Sequence, residues 1–232
     1  QETLYERLIA NQGDDQNAIT FDQAPVTALA NVANAEGRYS NVASPYTRYL
    51  TPNFKSKVFS NDKAREALAA VDVDAAHLRE ALALATDRSA YVTAAGGDQV
   101  VKATNSLINP ALPAFPNTPL LAGDKGDPAK AKTVLESAGL TLPVKINVAY
   151  RKNDTLDKVF AGLKTGWDAA GFQTNLIGIP AEQYYSTLQS PDSASKYDLY
   201  WAGWGADFPS ASTVIPQLLD SRSQISAGGP GQ

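Results

Sequence analysis

The chain contains no cysteine and a single histidine, His77. Without a thiol there can be no disulfide, no thiolate metal site and no cysteine nucleophile. A zinc site would have to rest almost wholly on carboxylates, an unusual donor set for that metal. A Ser-His-Asp triad would have to run through His77, whose context VDVDAAHLREAL reads as the surface of an ordinary helix. Nowhere does the sequence approach the roughly 20 consecutive apolar residues that span a bilayer. Lys/Arg runs are missing too. With a net charge of −4 and a sequence pI near 5.0, nucleic acid is a poor partner. The phosphate-binding patterns G-x-x-x-x-G-K-[ST] and G-x-G-x-x-G do not occur, nor does the nucleophile elbow G-x-S-x-G. Asp14-Asp15, Asp72 and Asp74 lack the spacing of a calcium loop. No metal or cofactor is expected, and an enzyme is the least supported class.

Of the 232 residues, 44% are hydrophobic and 19% charged, the balance of an ordinary globular protein. Gln1-Glu2-Thr3 lacks the basic start and apolar core of a signal peptide, and the chain stops in AGGPGQ. Either a signal has been removed or this is a piece of a longer chain, and the ending favours a piece.

Residues 1–60 are irregular in pattern. Leu4, Leu8 and Ile9 fit a helical turn or a short strand, and Gln12–Asp15 fits a turn. Tyr46-Thr47-Arg48-Tyr49-Leu50 favours a strand that stops at Pro52. Asn61 or Asp62 can cap a helix running through Ala69. A second helix, from about Asp74, places Leu78, Ala81, Leu82 and Ala85 on one face. The two share the segment REALA (65–69 and 79–83), too short to imply a repeat architecture. Asp87 opens a further helix that stops at Gly96-Gly97. Residues 98–126, with four prolines, read as a long loop of the kind often kept for function. Asp127 caps a helix with Pro128 at its first position and Gly139 at its end, with Ala131, Val134, Leu135 and Ala138 as the apolar stripe. A strand over 144–150 is followed by a helix opened by Asn153 or Asp154. That helix turns Leu156, Val159, Phe160, Leu163 and Trp167 inward. Strand 172–179, a short helix carrying Tyr184, Tyr185 and Leu188, and strand 197–201 complete the alternation. Strands and helices in this order imply βαβ units and a largely parallel sheet. Ligands on such sheets bind beyond the carboxyl ends of the strands, where a loop at Gly203–Pro209 is expected.

Four stretches, in order, resemble one family. They are YTRYLTPNF (46–54), REALALATDRSAYV (79–92), DPAKAKTVLESAGL (127–140) and YDLYWAGWGADFP (197–209). Together they resemble the family 5 extracellular solute-binding proteins, the dipeptide- and oligopeptide-binding components of ABC importers. The resemblance implies an α/β fold of the periplasmic-binding-protein kind (type II, cluster C), two lobes closing on a ligand, with mostly the C-terminal lobe present. Residues 1–54 would be part of the first lobe plus the outgoing crossover strand. Residues 55–196 would form the second α/β lobe, and 197–232 the return crossover and the start of re-entry into the first lobe. The doubled REALA departs from the family's single helix there.

The resemblance also implies a function. The protein would act without catalysis, outside the cell, as a monomer. It would capture a peptide or similar small solute and deliver it to a membrane permease, with no nucleic acid as partner. A lipid anchor would need an upstream cysteine. A repurposed relative, working as an envelope-assembly or regulatory lipoprotein, is the competing reading. Asp207 of G-W-x-x-D would pair with the free ammonium of a bound peptide, a charge-assisted bond worth about 1.5–3 kcal/mol. The alternative is that Asp207 organises the turn before Pro209 or caps the next helix. Trp204, and less so Trp201, would wall a side-chain pocket, with core packing as the alternative. Gly203, Gly205 and the adjoining Ala206 would let backbone groups approach an extended ligand, unless the glycines simply make a tight turn.

Overall fold

The structure, a computed structural model, describes residues 2–20, 24, 28, 31, 37–59, 75–116 and 123–220. The chain divides into two units, residues 1–43 and residues 44–232. The predicted helix ending at Ala69, and with it the first REALA copy, lies outside the described residues.

In the first unit the open choice at Leu4, Leu8 and Ile9 resolves as a helix, α1 (Glu2–Ala10). Its last carbonyls have no partner within the helix. The Arg38 guanidinium donates to two of them, Leu8 at 3.0 Å and Ile9 at 2.8 Å. Arg7 makes a two-pronged contact with Asp15, 2.8 Å at each nitrogen, in the turn that follows.

The second unit holds β1 (Tyr46–Pro52), α2 (Ala75–Ala85), α3 (Arg88–Ala94), α4 (Pro128–Ser137), β2 (Val144–Arg151) and α5 (Asp154–Ala169). It continues with β3 (Phe172–Ile179), α6 (Tyr184–Gln189), α7 (Ser193–Lys196), β4 (Leu199–Gly205) and α8 (Ile215–Leu219). The helix starts follow local chemistry. Asp87, Asp127 and Asn153 each accept, through the side chain, the N–H three residues on. Each satisfies a donor the first turn leaves open. The chain turns left-handed at Gly139 and Gly171, just past α4 and α5.

The strands form one sheet in the order β1-β4-β2-β3. β2 runs parallel to both β3 and β4, and β1 is antiparallel to β4. The chain thus makes one βαβ unit, β2–α5–β3, and then crosses over β2 through α6 and α7 to place β4 on its other side. The core gathers Ile146 and Val148 of β2, the inward face of α5 and Leu78, Ala81, Leu82 and Ala85 of α2, all buried. Tyr150 stacks on Phe160 with ring centroids 4.5 Å apart.

Helices α2 and α5 meet closely enough to set a size limit. A Cβ added at Gly166 would lie 2.8 Å from the Ala85 carbonyl oxygen, whereas one at Gly162, a turn earlier, meets nothing within 4 Å. Alanine is favoured over glycine in a helix interior by about 0.5–1 kcal/mol. Gly162→Ala is therefore expected to stabilise by about that amount in urea unfolding. At Gly166 the same gain is overrun by a backbone clash, and Gly166→Ala is expected to destabilise by about 1–3 kcal/mol. Equal effects at the two sites would contradict this packing.

Strand β4 corrects one expectation. Gly203-Trp204-Gly205 is not loop but the second half of a strand that starts at Leu199 and ends at Gly205. The reason is non-local: each residue from Leu199 to Gly205 pairs with one of β1, from Pro52 back to Tyr46. β2 accompanies β4 only at Val148↔Leu199 and Ala149↔Tyr200. Beyond that point β4 parts from β2, which runs on to Arg151 beside β3, and continues with β1 as a two-stranded ribbon.

Candidate functional site

The ribbon's hydrogen bonds determine which groups are left for a ligand. Ala206 N–H donates to the Pro45 carbonyl at 3.0 Å, and Asn53 N–H to the Asp198 carbonyl at 2.8 Å. In an antiparallel ladder bonded and non-bonded pairs alternate. The bonded pairs are therefore the odd-numbered residues of β1 with the even-numbered residues of β4. Pro52 falls on a non-bonded position, so its missing N–H costs the ladder nothing. Trp201, Gly203 and Gly205 direct their N–H and C=O away from β1, toward the side where β4 has parted from β2. The Trp201 carbonyl is taken by the buried Tyr184 hydroxyl of α6. Among the described residues nothing bonds to Gly203 and Gly205 on that side, which leaves them as an open strand edge at the carboxyl end of the sheet.

Pairing also sorts the side chains. Tyr46 and Arg48 share one face of the ribbon with Gly205 and Gly203, while Thr47 and Trp204 share the other. The Tyr46 ring lies across both glycines. A Cβ on Gly203 would come within 2.5 Å of its Cε1 and 2.7 Å of its hydroxyl oxygen, and a Cβ on Gly205 within 2.9 Å of Cδ2. The Tyr46 ring thus rests where side chains at both positions would stand, and a larger residue at either would displace it. The Arg48 guanidinium sits 5.6 Å from the Tyr46 ring centroid. Burial pushes the Tyr46 phenol up and Tyr185 adds to this, while the charges of Arg48 and Arg151 pull it down. Those side chains are close enough to act on one another. Tyr46 and Tyr185 are both exposed, and so are Arg48 and Arg151, the latter being the last residue of β2.

The predicted site residues separate into distinct environments. Trp201 is buried, its ring set edge-on to Tyr184 at 6.2 Å and its indole nitrogen 3.4 Å from the Tyr91 hydroxyl. Trp204 is half-buried and donates from Nε1 to the Thr213 carbonyl at 2.8 Å. Thr213 also accepts, through Oγ1, the Asp207 N–H at 3.0 Å. The following turn, Ala211–Thr213, is capped by Ser210, whose side chain accepts from Ser212 N–H. Asp207 itself is exposed, and its carboxylate has no hydrogen bond or ion pair among the described residues. Capping and turn formation thus fall to Ser210, Thr213 and the Asp207 backbone, and the carboxylate is not used for them.

Residues 98–116 form neither helix nor strand, as expected, but a series of side-chain-closed turns. Thr104, Ser106 and Asn109 each accept an N–H two residues on. Asn109 also donates to the Tyr46 carbonyl at 3.1 Å, covering the outer edge of β1. The sequence pattern placed Tyr46 and Arg48 in a strand and Tyr185 on a helix but assigned neither these nor Arg151 and Asn109 to a site. Among the described residues no group of acidic and histidine side chains is arranged to hold a metal ion.

The fold agrees with the comparisons. The model of the bacterial extracellular solute-binding proteins, family 5 Middle, matches residues 1–225. The chain belongs to that family. Its fold is found in solved structures at low sequence identity. One is an ABC transporter substrate-binding protein, CtaP, from Listeria monocytogenes, with TM-score 0.66 and 19% identity over 95% of this chain and 41% of that one. Another, clavulanic acid biosynthesis oligopeptide binding protein 2, gives TM-score 0.71 and 20% identity over 99% and 40%. A third is DppA from Helicobacter pylori in complex with the peptide STSA, with TM-score 0.62 and 16% identity over 84% and 34%. The family 5 member described here thus spans about two fifths of the first two structures. Comparison with the curated proteins finds no match. Among the described residues no helix is long and apolar enough to cross a membrane.

Proposed function

We propose that this family 5 chain is part of the substrate-binding component of an ABC importer that captures short peptides outside the cell. The observation that carries the reading is the open edge at Gly203 and Gly205, with the uncommitted carboxylate of Asp207 just past its end. An extended peptide laid on that edge pairs its backbone irrespective of its side chains, as strand addition allows. Its ammonium meets Asp207, and Arg151 at the end of β2 supplies the charge opposite to its carboxylate. Trp204 forms a wall on the far face of the ribbon. β1 and β4 are the two crossover strands, joining the lobe formed by residues 55–196 to a second lobe. Closure of the lobes buries the peptide and presents one shape to the permease.

The test is calorimetry on the intact protein with short peptides, free and N-acetylated. Asp207→Asn is expected to weaken the binding of free peptides by roughly 10- to 100-fold, the loss of one charge-assisted bond. Acetylated peptides are expected to bind the unaltered protein about as poorly. Equal affinity of the Asp207→Asn protein for free peptides would remove Asp207 from the site. Absence of binding by any short peptide would overturn the reading in favour of another solute or an envelope-assembly role.

A further inference from the structure

The side of the ribbon that carries Tyr46 and Arg48 has a construction that backbone recognition does not call for. Gly203 and Gly205 have no side chains, and the Tyr46 ring lies in the space these would fill. Arg48 lies opposite Gly203 in the β1–β4 register and packs its guanidinium against the same ring. Layered from the sheet outward, the order is glycine backbone, tyrosine ring, guanidinium. Stacking on an aromatic face orients the planar guanidinium and limits the freedom that a bound partner would otherwise have to remove. Arg48 is exposed and has no ion pair among the described residues. A cation held in place beside an open strand edge, without a carboxylate of its own, is prepared for one brought from outside.

Strand geometry says where that carboxylate must come from. A chain added on the free edge of β4 puts every second side chain on the face of Gly203 and Gly205, the face of Arg48. Strands lie about 4.8 Å apart, so Arg48 on β1 and the added strand are separated by two spacings, roughly 10 Å, across β4. Any side chain at position 203 would stand between them. With glycine there, only the flat Tyr46 ring covers the strand, and the arginine stacked on that ring and a glutamate from the other side can meet above it. An aspartate is shorter and reaches less well.

We propose that Arg48, held on Tyr46 above Gly203 and Gly205, is a specificity residue that selects ligands with an acidic side chain at a position directed to this face. The inference rests on the strand-addition reading above and adds to it a preference in side-chain chemistry. A carboxylate could also come from the peptide's own C-terminus, so the test separates the two sources.

The experiment is calorimetry on the intact protein with alanine-based tetrapeptides. Each carries Glu or Gln at one position in turn, and each is made with a free and with an amidated C-terminus. Glu is expected to bind about ten-fold tighter than Gln at a position facing Arg48 and equally at its neighbours. The preference is expected to survive amidation. In Arg48→Gln the preference is expected to vanish while affinity for the Gln peptides stays within about two-fold. Tyr46→Phe, which keeps the ring, is expected to retain it. Binding of all peptides without any Glu preference would overturn the inference and leave the proposed function standing. So would a preference that persists in Arg48→Gln or disappears on amidation. Binding of no peptide at all would overturn both.

Discussion

Trp167→Ala is expected to destabilise the protein by about 3–5 kcal/mol, the range for truncating a large buried aromatic. The residue has no exposed surface, and its ring packs against Phe160 at a centroid distance of 6.3 Å. It also carries a polar contact. The indole Nε1–H donates to Thr86 Oγ1 at 3.0 Å, and that hydroxyl in turn donates to the Leu82 carbonyl at 2.7 Å. The chain of bonds runs from α5 to the C-terminal end of α2. Alanine removes the ring, opens a void between the two helices and leaves the Thr86 oxygen without its donor. Trp167→Phe separates these losses. It keeps most of the apolar surface and gives up the indole bond, so a cost of roughly 1–2 kcal/mol is expected. Urea unfolding followed by far-ultraviolet circular dichroism measures both, with the slope of the transition unchanged if only native stability has moved. A loss below about 1.5 kcal/mol for the alanine protein would mean that α2 and α5 collapse into the space.

Trp167 could be placed in the core from pattern alone, because it shares a helical face with Leu156, Val159, Phe160 and Leu163, and all five are buried. Local signals served equally well at the caps, where Asp87, Asp127 and Asn153 act within three residues of themselves. What escaped was whatever depends on partners far along the chain. Gly203-Trp204-Gly205 has the composition of a turn, and it becomes a strand only because Tyr46–Arg48 lies beside it and the Tyr46 ring covers both glycines. For the same reason the gathering of Tyr46, Arg48, Tyr185 and Arg151 was not legible. Tyr46 and Arg48 lie far along the chain from Arg151 and Tyr185, and the sheet order and register that bring them together are set by the whole core. Asp207 was a candidate through its motif alone, and that its carboxylate is spared from capping was visible only in the geometry of Ser210 and Thr213.

Asn53→Ala is expected to cost about 3 kcal/mol, although the side chain is small and no cavity of consequence forms. Asn53 is buried at the end of β1, and its amide donates to the Tyr197 carbonyl at 2.7 Å and to the Ala194 carbonyl at 3.1 Å. Its side-chain oxygen accepts the Lys55 N–H at 2.9 Å. Each such bond contributes about 1 kcal/mol net, and a buried group left without a partner costs at least as much. Asn53→Asp tests the donor role directly. The shape is kept, but an ionised carboxylate can only accept, and here it would face two carbonyl oxygens away from water. The pKa of the introduced carboxyl in the folded protein is expected to lie above its unfolded value. The sign follows: the folded state then holds the proton more tightly, so the Asn53→Asp protein gains stability relative to the unaltered one as pH falls through that interval. Unfolding free energies from about pH 7 to about pH 4 measure this. A difference between the two proteins that does not narrow with falling pH would show that the donors of Asn53 are not what holds the end of β1 to the start of β4. If it narrows, the Asn53 amide ties the end of β1 to the segment that leads into β4. At the other end of the ribbon the β1–β4 register places Arg48 opposite Gly203.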